Sequence, residues 1–155
     1  MYWRMPIEFV HRRRVEFAET DMAGIVHFAN FFRWMESAEH DFLRSLGRSV
    51  HTKHGEHTTG WPRLKVSCEY LKPLRFEEEV EVVLRVEEVR TRSVRYGFVI
   101  RRVGQAEVCA RGEVVAVHVR LEGGGLQATV IPEELRMQLL QKLGADALAQ
   151  DVAHS

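Results

Sequence analysis

Cysteine is scarce in this chain: Cys68 and Cys109 are the only two, too few for a disulfide framework. Both lie in alternating apolar runs and are read as reduced, buried thiols. No stretch approaches the ~20 apolar residues that cross a bilayer. Met1-Tyr2-Trp3-Arg4 lacks the apolar core of a secretory leader, so membrane insertion is not expected and the cytoplasm is the expected location. Charge of one sign is also missing. Lys plus Arg number 22 and Asp plus Glu number 22, so no global field draws the chain to nucleic acid, and any anion must be held by a local cluster. There is no Gly-x-Ser-x-Gly elbow and no glycine loop that would cradle a phosphate. With four prolines and no linker rich in Gly, Ser or Pro, nothing divides the chain.

What is present fits one domain, 1–144, followed by a flexible tail, 145–155. A chain of 155 residues buries roughly 70% of its unfolded surface on folding. The segment from Glu8 to Glu19 is extended and charged, with Val15 and Phe17 on one face. From Asn30 the period changes. Phe31, Met35, Ala38, Phe42 and Leu46 recur at spacings of four and three, the stripe of a helix widened by Phe32 and Leu43. Gly47 stands where a left-handed cap would end it. His51 to Gly60 is polar and reads as a loop.

Four strands then follow. Leu64, Val66, Cys68 and Tyr70 alternate with polar residues; so do Val80 to Val86 and Val94 to Ile100, and Val108 to Val119 is β-branched. Gly123-Gly124-Gly125 is expected to end the sheet, and Pro132-Glu133-Glu134 opens a short helix carrying Leu135, Leu139 and Leu143. Short connections require antiparallel pairing. The expected fold is α+β, an antiparallel five-stranded sheet wrapped around one long central helix, with a short C-terminal helix.

The densest chemistry lies at the first strand-to-helix junction, Glu16-Phe17-Ala18-Glu19-Thr20-Asp21-Met22-Ala23-Gly24-Ile25-Val26-His27-Phe28-Ala29-Asn30-Phe31. A carboxylate beside a helix start can attack or deprotonate, while unpaired N–H groups there suit an oxyanion. Gly24 permits positive φ or close approach of a ligand. The junction resembles the 4-hydroxybenzoyl-CoA thioesterase family of hotdog-fold proteins, including the Tol-Pal-associated acyl-CoA thioesterases. The match is Thr-Asp, two variable residues, Gly-Ile-Val, two aromatic or His residues and Ala-Asn-aromatic, continuing through Arg33-Trp34-Met35-Glu36. Tyr70-Leu71-Lys72-Pro73-Leu74-Arg75-Phe76 is a weaker second match.

The resemblance implies hydrolysis of acyl-CoA without a cofactor or metal. It places the family's carboxylate, as nucleophile or general base, on Asp21, and its carbonyl-polarising N–H near Phe28. Many relatives read Tyr-His where this chain has His27-Phe28, so His27 either orients the site or packs beside it. The resemblance also implies a homodimer or homotetramer with sites at the subunit boundary.

Two other functions remain open at this level: a hotdog hydratase or dehydratase using Asp21 and His27 as a pair, and a non-catalytic module binding acyl-CoA or acyl-carrier protein. Arg90, Arg92 and Arg95 are either a solvated sheet edge or a grip on CoA phosphates. Asn30 reads as a helix N-cap, Glu19 and Glu36 as solvated or structural acids, and Trp34 and Trp61 as core or interface. His51, His54 and His57 lie in too mobile a loop to hold a metal.

Overall fold

The computed structural model describes residues 7–143. Its main sheet has five antiparallel strands in the order β1-β5-β6-β7-β4. These are β1 (Phe9–Arg14), β4 (Arg63–Tyr70), β5 (Glu79–Val89), β6 (Ser93–Arg102) and β7 (Val108–Val117). Alternation fixes which face is inner. Val80, Val82, Leu84 and Val86 of β5 are buried, as are Val94, Tyr96, Phe98 and Ile100 of β6, and a slip of one residue would expose the whole set.

Helix α1 (Ala29–Ser45) lies across that inner face and buries Phe31, Trp34, Met35, Ala38, Phe42 and Leu43. Each of the larger of these side chains contributes on the order of 1.5–3 kcal/mol when fully buried, and Ala38 about 0.8 kcal/mol. The helix comes so close to β7 that a Cβ on Gly112 would lie 2.1 Å from Met35 Cε. Its end follows the expected cap. Gly47 adopts φ 74°, Arg48 N–H donates to the Leu43 carbonyl and Gly47 N–H to the Arg44 carbonyl, a Schellman closure.

The start of α1 differs from the expectation. Asn30 is not the N-cap: that position falls on Phe28, and Asn30 is already helical. Its side-chain N–H instead donates to the Glu19 carbonyl at 2.8 Å, tying the helix to the chain before it.

The segment expected as a loop, His51 to Gly60, is a hairpin of β2 (Thr52–His54) and β3 (His57–Gly60). It continues into β8 (Val119–Glu122) and β9 (Gly125–Ala128), giving a second sheet in the order β2-β3-β8-β9. Gly123 and Gly124 therefore do not end the sheet. They form the two-residue turn between β8 and β9, both at positive φ as a type I′ turn demands.

Strand β4 corrects another expectation. It is one of the sheet's two edges, and of its apolar residues Leu64, Val66 and Tyr70 remain exposed while Cys68 is half-buried. Cys109 is buried; both thiols are free. Helix α2 (Glu133–Leu140) follows Pro132, buries Leu135 and Leu139, and packs on β5. No described helix is long and apolar enough to cross a membrane. The expected tail, 145–155, lies outside the described residues.

Candidate active site

Asp21 begins a three-residue reversal. Its N–H donates to the Ile25 carbonyl at 2.9 Å and its carbonyl accepts from Gly24 N–H at 2.9 Å. Gly24 takes φ 77°, the left-handed position that closes a loop of this length. A bridge between Thr20 and Val26 seals the base, and Val26 N–H donates to the Leu74 carbonyl, pinning the loop to the segment that precedes β5. Asp21 is exposed, and its Oδ1 accepts the Ala23 N–H at 2.9 Å, which orients the carboxylate. Its other oxygen has no partner among the described residues.

The chain then runs straight into α1. The imidazole Nδ1 of His27 accepts the Ala29 N–H at 3.2 Å, so in the neutral ring Nε2 carries the proton. The ring stacks on Phe28, with centroids 4.4 Å apart. His27 thus satisfies a helix-terminal donor, a cap the sequence reading assigned to Asn30. No hydrogen bond joins His27 to Asp21 among the described residues. The Phe28 N–H donates to no protein acceptor among them. It sits at the positive end of α1, where a developing negative charge is favoured.

Glu19 is a structural acid, not a solvated one, with partners that the sequence did not name. Its carboxylate accepts from Glu16 N–H at 2.8 Å, from the Arg13 guanidinium at 2.7 Å and from Trp34 Nε1 at 2.6 Å. Its carbonyl accepts from His27 N–H and from the Asn30 side chain. One residue therefore binds β1, α1 and the far end of the Asp21 loop together. Arg13 also lies 5.0 Å from the Trp34 ring, a cation–π contact.

The three arginines lie elsewhere. Arg90 and Arg92 flank the turn between β5 and β6, and Arg95 is on β6. The eleven residues of β5 put that turn about 33 Å along the sheet from the strand's first residue, near which the Asp21 loop is pinned. Arg90 is paired with Glu88, and Arg95 with Glu87 at 2.5 Å and Glu113 at 3.5 Å. Arg92 has no carboxylate partner among the described residues.

A cavity of about 700 Å³ between β1 and α1 is lined by His11, Arg14, Phe17, Ser37 and Asp41 but not by Asp21 or His27. Its charges are largely paired within the chain, as in the 2.5 Å contact of His11 with Asp41, so the loop carboxylate and helix start define the candidate site instead.

Residues 15–139 match the family model described as the thioesterase-like superfamily. The chain belongs to that superfamily. Its architecture is the hotdog fold that the junction motif implied. Over 92 residues it is 39% identical to a protein of Aquifex aeolicus (strain VF5) that bears an esterase name, covering 59% of this chain and 71% of that one. It is 22% identical to a 4-hydroxybenzoyl-CoA thioesterase of Pseudomonas sp. (strain CBS-3), over 79% of this chain and 91% of the relative. A solved gentisyl-coenzyme A thioesterase, BH1999, superposes with a TM-score of 0.70 at 28% identity, over 82% of this chain and 98% of its own.

Within this thioesterase-like chain, Phe17, Met22, Phe28, Tyr70 and Phe76 leave large apolar surfaces open. Phe17 and Phe76 meet edge to face at 5.8 Å. Exposed apolar area of this kind marks a surface that a ligand or a second chain covers.

Proposed function

We propose that this chain hydrolyses acyl-CoA thioesters, with Asp21 as the reacting carboxylate and the Phe28 N–H as the group that polarises the carbonyl. The observation that carries this reading is one short segment holding both an exposed, oriented carboxylate and an unpaired helix-terminal donor. Asp21 acts on the thioester carbon directly or through a water whose proton it takes. Negative charge moves onto the carbonyl oxygen, where the N–H and the helix dipole stabilise it. Collapse breaks the C–S bond, and CoA leaves as the thiolate and takes up a proton. On the water route the acid forms in that step, whereas direct attack leaves an anhydride between Asp21 and the acyl group that a water then hydrolyses, releasing the acid and restoring the carboxylate. A hydratase would require Asp21 and His27 to work as a pair, and no bond between them supports that alternative.

The relatives' names favour aromatic acyl groups, and the open aromatic surface around the loop suits them. The bare edge of β4, with apolar side chains beside it, supports a dimer with the sites at its boundary. Of the three arginines, Arg92 is the one without a carboxylate partner among the described residues, and because it lies at the far end of β5 from Asp21 it would reach a CoA phosphate from across the subunit boundary.

The test is Asp21→Asn, assayed by thiol release from benzoyl-CoA and hexanoyl-CoA. The charge is lost while the shape and the helix start remain. Turnover should fall on the order of 10²-fold or more, with KM nearly unchanged. Near-normal turnover in a folded Asn variant would overturn the assignment.

A further inference from the structure

Tyr70 closes strand β4, paired with Ala110 of β7, and so belongs to the rigid sheet. Its hydroxyl donates to the Phe28 carbonyl at 2.9 Å. Its ring meets Phe31 edge-on, with centroids 5.1 Å apart at 84°. Phe31 N–H in turn donates to the same Phe28 carbonyl at 3.4 Å. One side chain therefore grips the first turn of α1 at two points, through the carbonyl of residue 28 and the ring of residue 31.

The N–H of Phe28 is the group left free, and it stands one Cα from that anchored carbonyl. With φ −53° and ψ −34°, residue 28 is already helical, so holding its carbonyl limits how far its N–H can swing. Although much of the ring is open, loss of water around the hydroxyl, and the Cys68 thiol beside it, push the Tyr70 hydroxyl up to about 12, so it stays a donor across the pH range in which an enzyme works.

We propose that Tyr70 is a positioning residue for thioester hydrolysis: through the Phe28 carbonyl it fixes the direction of the Phe28 N–H toward the developing oxyanion. The proposal rests on the reading of Asp21 and Phe28 given above. It differs from a packing role because the hydroxyl, not the ring, does the aiming. Donors aimed before reaction stabilise charge without reorganising, so loss of aim lowers turnover more than binding.

Tyr70→Phe tests this, since it removes one oxygen and keeps the edge contact with Phe31. With benzoyl-CoA, kcat should fall about tenfold, less than for deletion of an oxyanion donor, while KM and the melting temperature change little. Tyr70→Leu removes the ring as well and should add a loss of stability. A spectroscopic reading separates aiming from folding. In the Asp21→Asn background, ¹³C-carbonyl benzoyl-CoA is bound and its carbonyl stretch recorded by isotope-edited infrared spectroscopy. The band should shift to lower frequency on binding, and adding Tyr70→Phe should return it toward its position in solution.

Unchanged kcat in Tyr70→Phe overturns the proposal. So does a shifted band that Tyr70→Phe leaves in place, even if kcat falls. If the band does not shift in Asp21→Asn alone, the carbonyl-polarising role of Phe28 fails first, and the Tyr70 proposal fails with it.

Discussion

Removing Arg63 should make this protein's stability depend steeply on pH. Glu39 projects from α1 into the core and is 1% exposed. Arg63 Nη1 reaches both its oxygens, at 2.9 and 2.6 Å. Burial raises the Glu39 carboxyl above its ordinary value, and the Arg63 charge pulls it back only in part. Such a group gives stability that is complete below its unfolded pKa, near 4.3, and that is lost as pH rises through the raised folded value.

Arg63→Met removes the opposing charge, so the folded value climbs further and the loss at neutral pH deepens. Breaking a buried pair from one side costs about 3–5 kcal/mol. For a chain of this size each kcal/mol moves the melting temperature by about 2–4 °C. A drop of roughly 6–20 °C is therefore expected at about pH 8, shrinking toward about pH 5 as Glu39 takes up a proton. Thermal melts at the two pH values measure it. The double variant Glu39→Leu with Arg63→Met should recover most of the loss, because an apolar pair leaves no charge behind. Equal losses at both pH values, or a double variant no better than the single one, would refute the reasoning.

Arg92→Ala should raise KM for benzoyl-CoA with little change in kcat, and should leave a benzoyl thioester of pantetheine unaffected; equal effects on both substrates would place Arg92 on a solvated edge. Light scattering at working concentration should return a dimer or tetramer, and a stable 18.0 kDa monomer would contradict the subunit-boundary site.

The parts of the fold that the sequence made legible are those with a sustained period. The spacing of Phe31, Met35, Ala38 and Phe42 set the helix, and the alternation along β5 and β6 set the sheet's inner face. Strand β4 carries the same alternation but lies at an edge, where α1 meets it only near its ends, through Arg63 and Tyr70, so Leu64 and Val66 between them stay open. Period reports a strand's two faces, not what lies over them. The small second sheet escaped because its strands have three or four residues, too few to display a period, and β2 and β3 are built from Thr, His, Lys and Gly.

The motif marked Asp21 as the candidate carboxylate, and the positive φ of Gly24 was legible through its backbone freedom. Whether Glu19 is a solvated or a structural acid was not legible, because its partners Arg13, Glu16, Asn30 and Trp34 meet only in the folded chain. Tyr70 was visible as a motif residue, but its contact with Phe28 joins positions 42 apart.

The Asp21 loop is open to solvent, yet bonds from Glu19, Leu74 and its own reversal hold it at both ends and in the middle. Surface loops usually lose freedom when a ligand arrives, and that loss subtracts from affinity. Here the ordering is complete once the chain has folded. The hydrogen-bonded amides of the loop, those of Asp21, Ala23 and Gly24, should exchange with deuterium more slowly than the unpaired Phe28 N–H, despite their exposure. A substrate would therefore meet a surface already in its working shape, and the pace of capture would be set by encounter and orientation, not by a rearrangement of the loop.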